Sequence, residues 1–496
     1  MTLSKRLFVA GLQCAKRLHL EHVAPELRDA GQAGREALAA AGIEVGVAAR
    51  ERFPRGRLIA GETWDGAVAA TRAALADPAI DTLFEAAFEE GGARARPDVL
   101  VRAADGFEVL EVKSALRVRD QHATDLAYQV AVLRAAGLAV TRAGLLLLDR
   151  TYVHPGGAFD LERLFVRVDL TAAVESLAAT VRDRLEPMRD VLAAGEPPAV
   201  AIGAHCLVPD RCPFFGHCHA GGPAHPVTDL PRLTGEQLGV FVRRGIDDLR
   251  SVPADFPGLT PMQARACRAA RRGGPVREPA LVDKLAAIPR PAHFVDFETF
   301  ASALPVYPGT RPFEQVPFQW SDHVLAIDGA VTHREFLHDA NDDPRRAFAE
   351  SLLAATADAA ALVVYSRFEG DVLSALAGAL PDLGVALLER RERIVDLLPL
   401  VRDHCAHPAL RGSFSIKRVL PAFVPGLGYD DLAIRDGLSA SRAHAALVDP
   451  ALDPARRAEL RTQLLAYCAR DTWAMVELHR VLGAHAGLRD DPPRSP

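Results

Sequence analysis

Residues Arg96–Ala115, RPDVLVRAADGFEVLEVKSA, set three chemically active side chains on two short apolar strands, and they constrain the fold more than any other stretch. Apolar residues alternate on both sides of Asp105-Gly106, a favoured two-residue hairpin turn. Pairing Ala104 with Phe107 sets Asp98 opposite Lys113 and Leu100 opposite Glu111. Side chains alternate along a strand, so Glu111 and Lys113 share one face with Asp98 across from them. Two carboxylates can hold a hard cation such as Mg²⁺ beside a phosphodiester, and the ammonium can orient the attacking water. The plainer reading is an ion pair on an exposed strand. Against it stand the apolar neighbours Leu110 and Val112 and the scarcity of lysine. Of 58 basic residues, only Lys5, Lys16, Lys113, Lys284 and Lys417 are lysines.

The chain has 496 residues, 49% hydrophobic and 25% charged, the balance of an ordinary globular protein. At roughly 100–200 residues per domain it has room for about three. A net charge of −6 supplies no global field toward nucleic acid or an anionic membrane, so any such binding is local. The composition divides the chain into 1–225, a net basic helical linker over 226–290, an α/β section over 291–490, and a frayed Pro-rich tail, 491–496. The run Leu7–Leu12 is too short for a secretory signal, and no stretch reaches the ~18 apolar residues of a membrane span. Seven cysteines, an odd number, do not read as a disulfide framework. A cytoplasmic protein without membrane contact is expected.

Three of those cysteines, Cys206, Cys212 and Cys218, fall in HCLVPDRCPFFGHC. Three thiols leave a tetrahedral cluster one ligand short. Cys14 is the early candidate for the fourth. Zinc shared with His205, His217 or His219 is a second possibility, and inert burial a third. Cys267, Cys405 and Cys468 stand alone and read as small core residues.

In HFVDFETF (His293–Phe300) an apolar strand is broken by Asp296 and Glu298, two apart and so on one face. Burying two carboxylates is costly unless cations neutralise them. Near the other end, LLAYCARDTWAMVELHRVL is helical, with Tyr467 and Asp471 at i,i+4 on one face. Between them a strand ending at Tyr365 leads to Glu369 and Asp371. Asp396, Lys417 and Arg418 are secondary candidates, the last two for phosphate contact.

Pro97-Asp98 and Glu111-Val112-Lys113 resemble the PD-(D/E)XK nucleases. That likeness extends to Glu85 as an additional metal-site acid and to Tyr128-Gln129, whose glutamine helps position the site in RecB-type members. RecB-like members often carry a histidine on an early helix, where this chain has Gly46–Arg50 without one. Cys14 with Cys206, Cys212 and Cys218 is similar to the split set that ligates a [4Fe–4S] cluster in the CRISPR-adaptation and AddB types. Asp296, Glu298, Glu369, Tyr467 and Asp471 resemble the DEDDy branch of ribonuclease-H-like 3′–5′ exonucleases. There Asp296, Glu298, Glu369 and Asp471 would ligate Mg²⁺ or Mn²⁺ and Tyr467 would position water. Glu369 stands where the branch usually has aspartate, with Asp371 as fallback.

With VYPGTRPFEQVPFQW and GSFSIKRVLP, the whole resembles a bacterial family of unknown function that joins these two modules. The resemblance implies a restriction-endonuclease-like module followed by a ribonuclease-H-like α/β domain. It also implies a two-site nuclease acting on DNA, from single-stranded ends, in repair or foreign-DNA defence. The rival expectations are a nucleic-acid-binding scaffold with one or both sites decayed, and an RNA-processing exonuclease.

Overall fold

The hairpin is present, with its turn one residue earlier than expected. In the computed structural model, which describes residues 2–29 and 32–484, Ala103 pairs with Gly106 and Val99 with Leu110. Ala104-Asp105 therefore forms the turn, and Asp98 comes level with Glu111 rather than Lys113. The register differs from the expected one by two residues, an even number, so every side chain keeps its face. Gly106 follows at φ +143°, and a Cβ there would meet the Ala139 carbonyl at 2.3 Å. Only glycine lets the next strand come alongside at this point. The expected tail, 491–496, lies outside the described residues.

The chain separates into two compact units, both mixed α/β. The first comprises Met1–Gly221 with Thr234–Gly239 and Ser302–Glu314; the second comprises Gly222–Leu233, Val240–Ala301 and Gln315–Pro496. Among the described residues, the first unit's main sheet runs in the spatial order Arg57–Leu58, Thr82–Phe84, Val99–Ala103, Gly106–Lys113, Val140–Leu148, Phe165–Asp169. Gly106–Lys113 and Val140–Leu148 are parallel, with the helix Asp120–Ala135 between them in sequence, as a parallel pair requires a crossover. That helix buries Leu126, Tyr128 and Leu133 against Leu83, Leu100 and Val109.

Two stretches depart from the expected division. Residues 226–290 are not a free linker: Leu281, Leu285 and Ile288 are buried in the second unit's core with Phe294 and Leu478. The i,i+4 spacing of Leu281 and Leu285 gives the helix Ala280–Ala286 an apolar stripe that has to be covered. Residues 302–314, expected in the C-terminal section, pack in the first unit, where Ala303, Leu304 and Phe313 join a cluster with Tyr152 and Phe165.

The second unit's sheet runs Val331–Leu337, Val316–Leu325, Ala292–Phe300, Ala361–Val364, Ile394–Asp396. The first three strands are antiparallel, and the last two run parallel to Ala292–Phe300. Alternation divides the central strand between two layers. Val295 and Phe297 pack with Phe348, Leu352 and Leu373 on one side. Phe294 packs on the other with Leu464, Tyr467 and Leu478 of the long helix Pro454–Gly483. Asp453 caps that helix, accepting from the Ala455 and Arg456 amides, and Pro454 occupies its first turn. Asp296 and Glu298 share Phe294's face, which is why they meet Tyr467 and Asp471. No described helix is long and apolar enough to cross a membrane.

Candidate active sites and a cysteine cavity

Asp296, Glu298 and Asp471 converge on the long-helix face of the second sheet, and Glu369 lies close enough for its charge to act on Asp296 and Glu298. Burial pushes Asp296 well above the usual carboxylate range, and the nearby charges of Asp471, Glu298 and Glu369 push it further. Glu298 is raised in the same way, by burial and Asp471 above all. Glu369, 4% exposed, is pushed up to about 8 by burial, and its Oε2 has no hydrogen-bond partner. Asp471 rises to about 6: burial raises it, while hydrogen bonds from Tyr429 and Tyr467 and the charge of Lys417 hold it back. Such a group cannot carry four negative charges at neutral pH without cations beside it.

The surrounding residues orient the cluster. Lys417, in the helix Ile416–Phe423, donates to the Tyr467 hydroxyl at 2.9 Å and to the Arg435 carbonyl at 2.7 Å. Its ammonium also lies over the Tyr429 and Tyr467 rings, at 5.5 and 5.0 Å from their centroids. The Tyr429 hydroxyl donates to Asp471 Oδ1. Cys468, expected as a plain core residue, is buried, but its sulfur lies 3.6 Å from Asp296 Oδ2. Asp396 caps the helix Leu397–His404, and its charge helps raise Glu369. Asp371 is not part of the group: its exposed side chain pairs with Arg367 at 3.0 Å. Arg418 is exposed.

The hairpin site is built differently. Glu111, 3% exposed, accepts from Lys5 and from Lys113 (3.0 Å) on Oε1 and from Gln129 (2.6 Å) on Oε2. Burial alone would raise Glu111, but the two ammoniums override it and hold the carboxyl down at about 2. Asp98 is pushed up to about 7 by burial and by Glu111, although its Oδ2 accepts from the Val112 amide at 2.7 Å. Lys113 also pairs with Asp125 at 3.2 Å. Burial lowers the Lys113 pKa, but Glu111 and Asp125 together raise it above its ordinary value. Glu85 stands at φ +56° with its amide donating to the Asp98 carbonyl, and burial raises its carboxyl against the charges of Arg96 and Arg50.

The four cysteines expected to act together line one small cavity of about 20 Å³, and all are free thiols. Gln13, next to Cys14, donates to the carbonyls of His205 (2.9 Å) and Asp210 (2.7 Å), tying the first helix to the late cysteine loop. His205 also lines the cavity, with Nε2 3.6 Å from Cys206 Sγ. His217 is exposed, and His219 stacks on Phe215 with 3.8 Å between ring centroids. Burial raises the thiol pKa values of Cys206, Cys212 and Cys218. Cys267 and Cys405 are buried elsewhere.

A protein-family model described as a domain of unknown function, DUF2779, matches residues 293–415. That stretch includes Asp296, Glu298 and Glu369 but stops short of Tyr467 and Asp471. No curated protein and no solved structure matches the chain significantly.

Sequence reasoning missed Lys5, Asp125 and Tyr429; it read Cys468 as the buried residue it is but not as a neighbour of Asp296. Lys5 had one visible signal, the rarity of lysine. Tyr429 sits in a glycine-containing loop with no periodicity to give its neighbours away. Cys468 does have a signal: it directly follows Tyr467 on the helix that carries Asp471.

Proposed function

We propose that the protein is a metal-dependent nuclease that hydrolyses phosphodiester bonds at DNA ends. The observation that carries this reading is the buried group Asp296, Glu298, Glu369 and Asp471 with Tyr467 one helical turn before Asp471. A buried tetra-acid is a poor structural element but a good seat for two divalent cations. Mg²⁺ or Mn²⁺ held there would neutralise the scissile phosphate and acidify a water. Tyr467 accepts from Lys417, which leaves one lone pair to orient the attacking water. The strand order, three antiparallel strands flanked by two parallel ones, supports a ribonuclease-H-like domain.

The hairpin, its crossover helix and the parallel strand beyond support a PD-(D/E)XK module with Asp98, Glu111 and Glu85 toward metal and Lys113 toward the phosphate or water. One observation favours a second reading for this module, a nucleic-acid-binding scaffold: both Glu111 oxygens are already occupied by Lys5, Lys113 and Gln129.

The cysteine cavity supports an iron–sulfur cluster. Among the described residues, no three of its sulfurs lie within 4.8 Å of one another. Tetrahedral zinc, at about 2.3 Å to each sulfur, needs them roughly 3.8 Å apart. Four thiols around one cavity supply the Cys₄ ligand set of a [4Fe–4S] cluster.

The test is degradation of end-labelled single- and double-stranded DNA and RNA with Mg²⁺ or Mn²⁺, comparing wild type with Asp296→Asn and Asp98→Ala. Loss of the second unit's share of DNA hydrolysis is expected in Asp296→Asn, and loss of the first unit's share in Asp98→Ala. Unchanged hydrolysis in both variants would overturn the proposal, and a preference for RNA would replace its substrate.

A further inference from the structure

Among the described residues, one group of ligand atoms comes within 4.8 Å of one another: a carboxylate oxygen each from Asp296 and Glu298, and the sulfur of Cys468. Two oxygens and a sulfur are not the ligands of a magnesium site, which takes hard oxygen donors in near-octahedral array. Thiolate selects softer cations, zinc among them. The one oxygen–sulfur edge that the hydrogen bond fixes agrees with such a cation. With bonds of about 2.1 Å to oxygen and about 2.3 Å to sulfur, an oxygen–sulfur edge of 3.6 Å subtends about 110°, the tetrahedral angle.

Two further observations point the same way. Glu369 Oε2 is buried without a partner, and its charge bears on Asp296 and Glu298. The thiol's hydrogen bonds both go to Asp296, to its carboxylate and its carbonyl at 3.6 Å, which holds the sulfur against the carboxylate strand.

We propose that Asp296, Glu298 and Cys468 form a mixed oxygen–sulfur site for a thiophilic divalent cation such as Zn²⁺. The proposal deepens the nuclease reading and rests on it for its consequence: one cation position of the active site is thiolate-bound and prefers Zn²⁺ to Mg²⁺. On binding, the thiol loses its proton to solvent as the metal–sulfur bond forms. Every other acid of the cluster offers oxygen alone, so the preference depends on this one side chain.

The experiment titrates the full chain with Zn²⁺ alone against a chromophoric chelator, and with Cd²⁺ alone while following the ultraviolet thiolate-to-metal band. Wild type is compared with Cys468→Ser and Cys468→Ala; Cys267→Ser serves as a control for losing a buried thiol elsewhere. The four cavity cysteines are left in place in every protein, so the comparison isolates Cys468. Both Cys468 variants are expected to lose one equivalent of tight Zn²⁺, or to bind it at least about tenfold more weakly, the lower end of what even an outer-shell change costs. The wild-type-minus-variant Cd²⁺ spectrum should show one thiolate. Asp296→Asn should lose the same equivalent, which keeps the test decisive if a Cys468 variant folds poorly. Equal Zn²⁺ stoichiometry and affinity in wild type and both Cys468 variants would overturn the thiolate site, and Mn²⁺-dependent hydrolysis by those proteins would leave the nuclease standing. Loss of the Zn²⁺ equivalent with no hydrolysis under any cation would uphold the site and overturn the nuclease.

Discussion

Lys417 Nζ lies 2.9 Å from the hydroxyl of Tyr467, and that contact determines which way the phenol faces. Lysine has only donors, so the Tyr467 oxygen must accept and its own proton must go elsewhere. Asp471, one helical turn on, is the acid whose pKa the phenol helps hold down. Burial and the surrounding acids raise the Tyr467 pKa above its ordinary value, so the phenol stays protonated and acts through its lone pairs.

Lys417→Met should therefore slow hydrolysis by about tenfold to a hundredfold, the cost of a misplaced group at the reacting centre. KM should change little, and Lys417→Arg should restore part of kcat. Because Lys417 holds the Asp471 pKa down, its removal should also move the onset of Mn²⁺ binding to higher pH. Thermal melts with Mn²⁺ across pH 5–9 and steady-state kinetics check both statements.

Metal-free protein should lose stability as pH rises from about 4 to 8. The folded-state carboxyls of Asp471, Asp98 and Glu369 are raised to about 6, 7 and 8. In the unfolded chain such groups ionise near roughly 4, so over this window the native state holds more protons than the unfolded state. Stability then falls with pH and levels off above the folded values. Mn²⁺ should reverse the loss, with its largest effect near pH 8, and Asp296→Asn should blunt that rescue. Melts in chelator and in Mn²⁺ measure it.

At the hairpin, Lys5→Ala removes one of two ammoniums from a buried carboxylate. Lys113 and Gln129 remain and Lys5 is one-third exposed, so the cost should be about 1–2 kcal/mol rather than that of a fully orphaned charge. Denaturant unfolding checks the value, and a double-mutant cycle with Glu111→Gln should show strong coupling.

In the same module, Asp98→Ala and Lys113→Ala should each abolish the hydrolysis that survives in Asp296→Asn, with the double change costing little more than either single one. Additive losses in that background would mark the residues as an ion pair only.

Anaerobically purified protein should be brown, with a broad band near ~400 nm from thiolate-bound iron. Cys14→Ser should bleach it as fully as Cys212→Ser, because both sulfurs line one cavity. Absorbance and iron content per chain are the readouts.

Much of the second site was legible along the chain because it depends on local periods. The two-residue repeat of a strand places Asp296 and Glu298 together, and the i,i+4 repeat of a helix places Tyr467 with Asp471. The same repeat protected the hairpin reading, since a two-residue change of register leaves Glu111, Lys113 and Asp98 on one face. Which groups Lys5, Tyr429 and Cys468 touch was not legible. Lys5 reaches the Glu111 strand from a helix about a hundred residues earlier, and Tyr429 reaches Asp471 from a loop. Cys468 matters only because the long helix packs on Phe294's side of its sheet. Contacts between residues distant in sequence depend on which apolar faces cover each other, and no local repeat encodes that choice. The same reason explains residues 302–314, which follow the carboxylate strand in sequence but pack in the first unit, where the apolar surface that buries Phe313 is found.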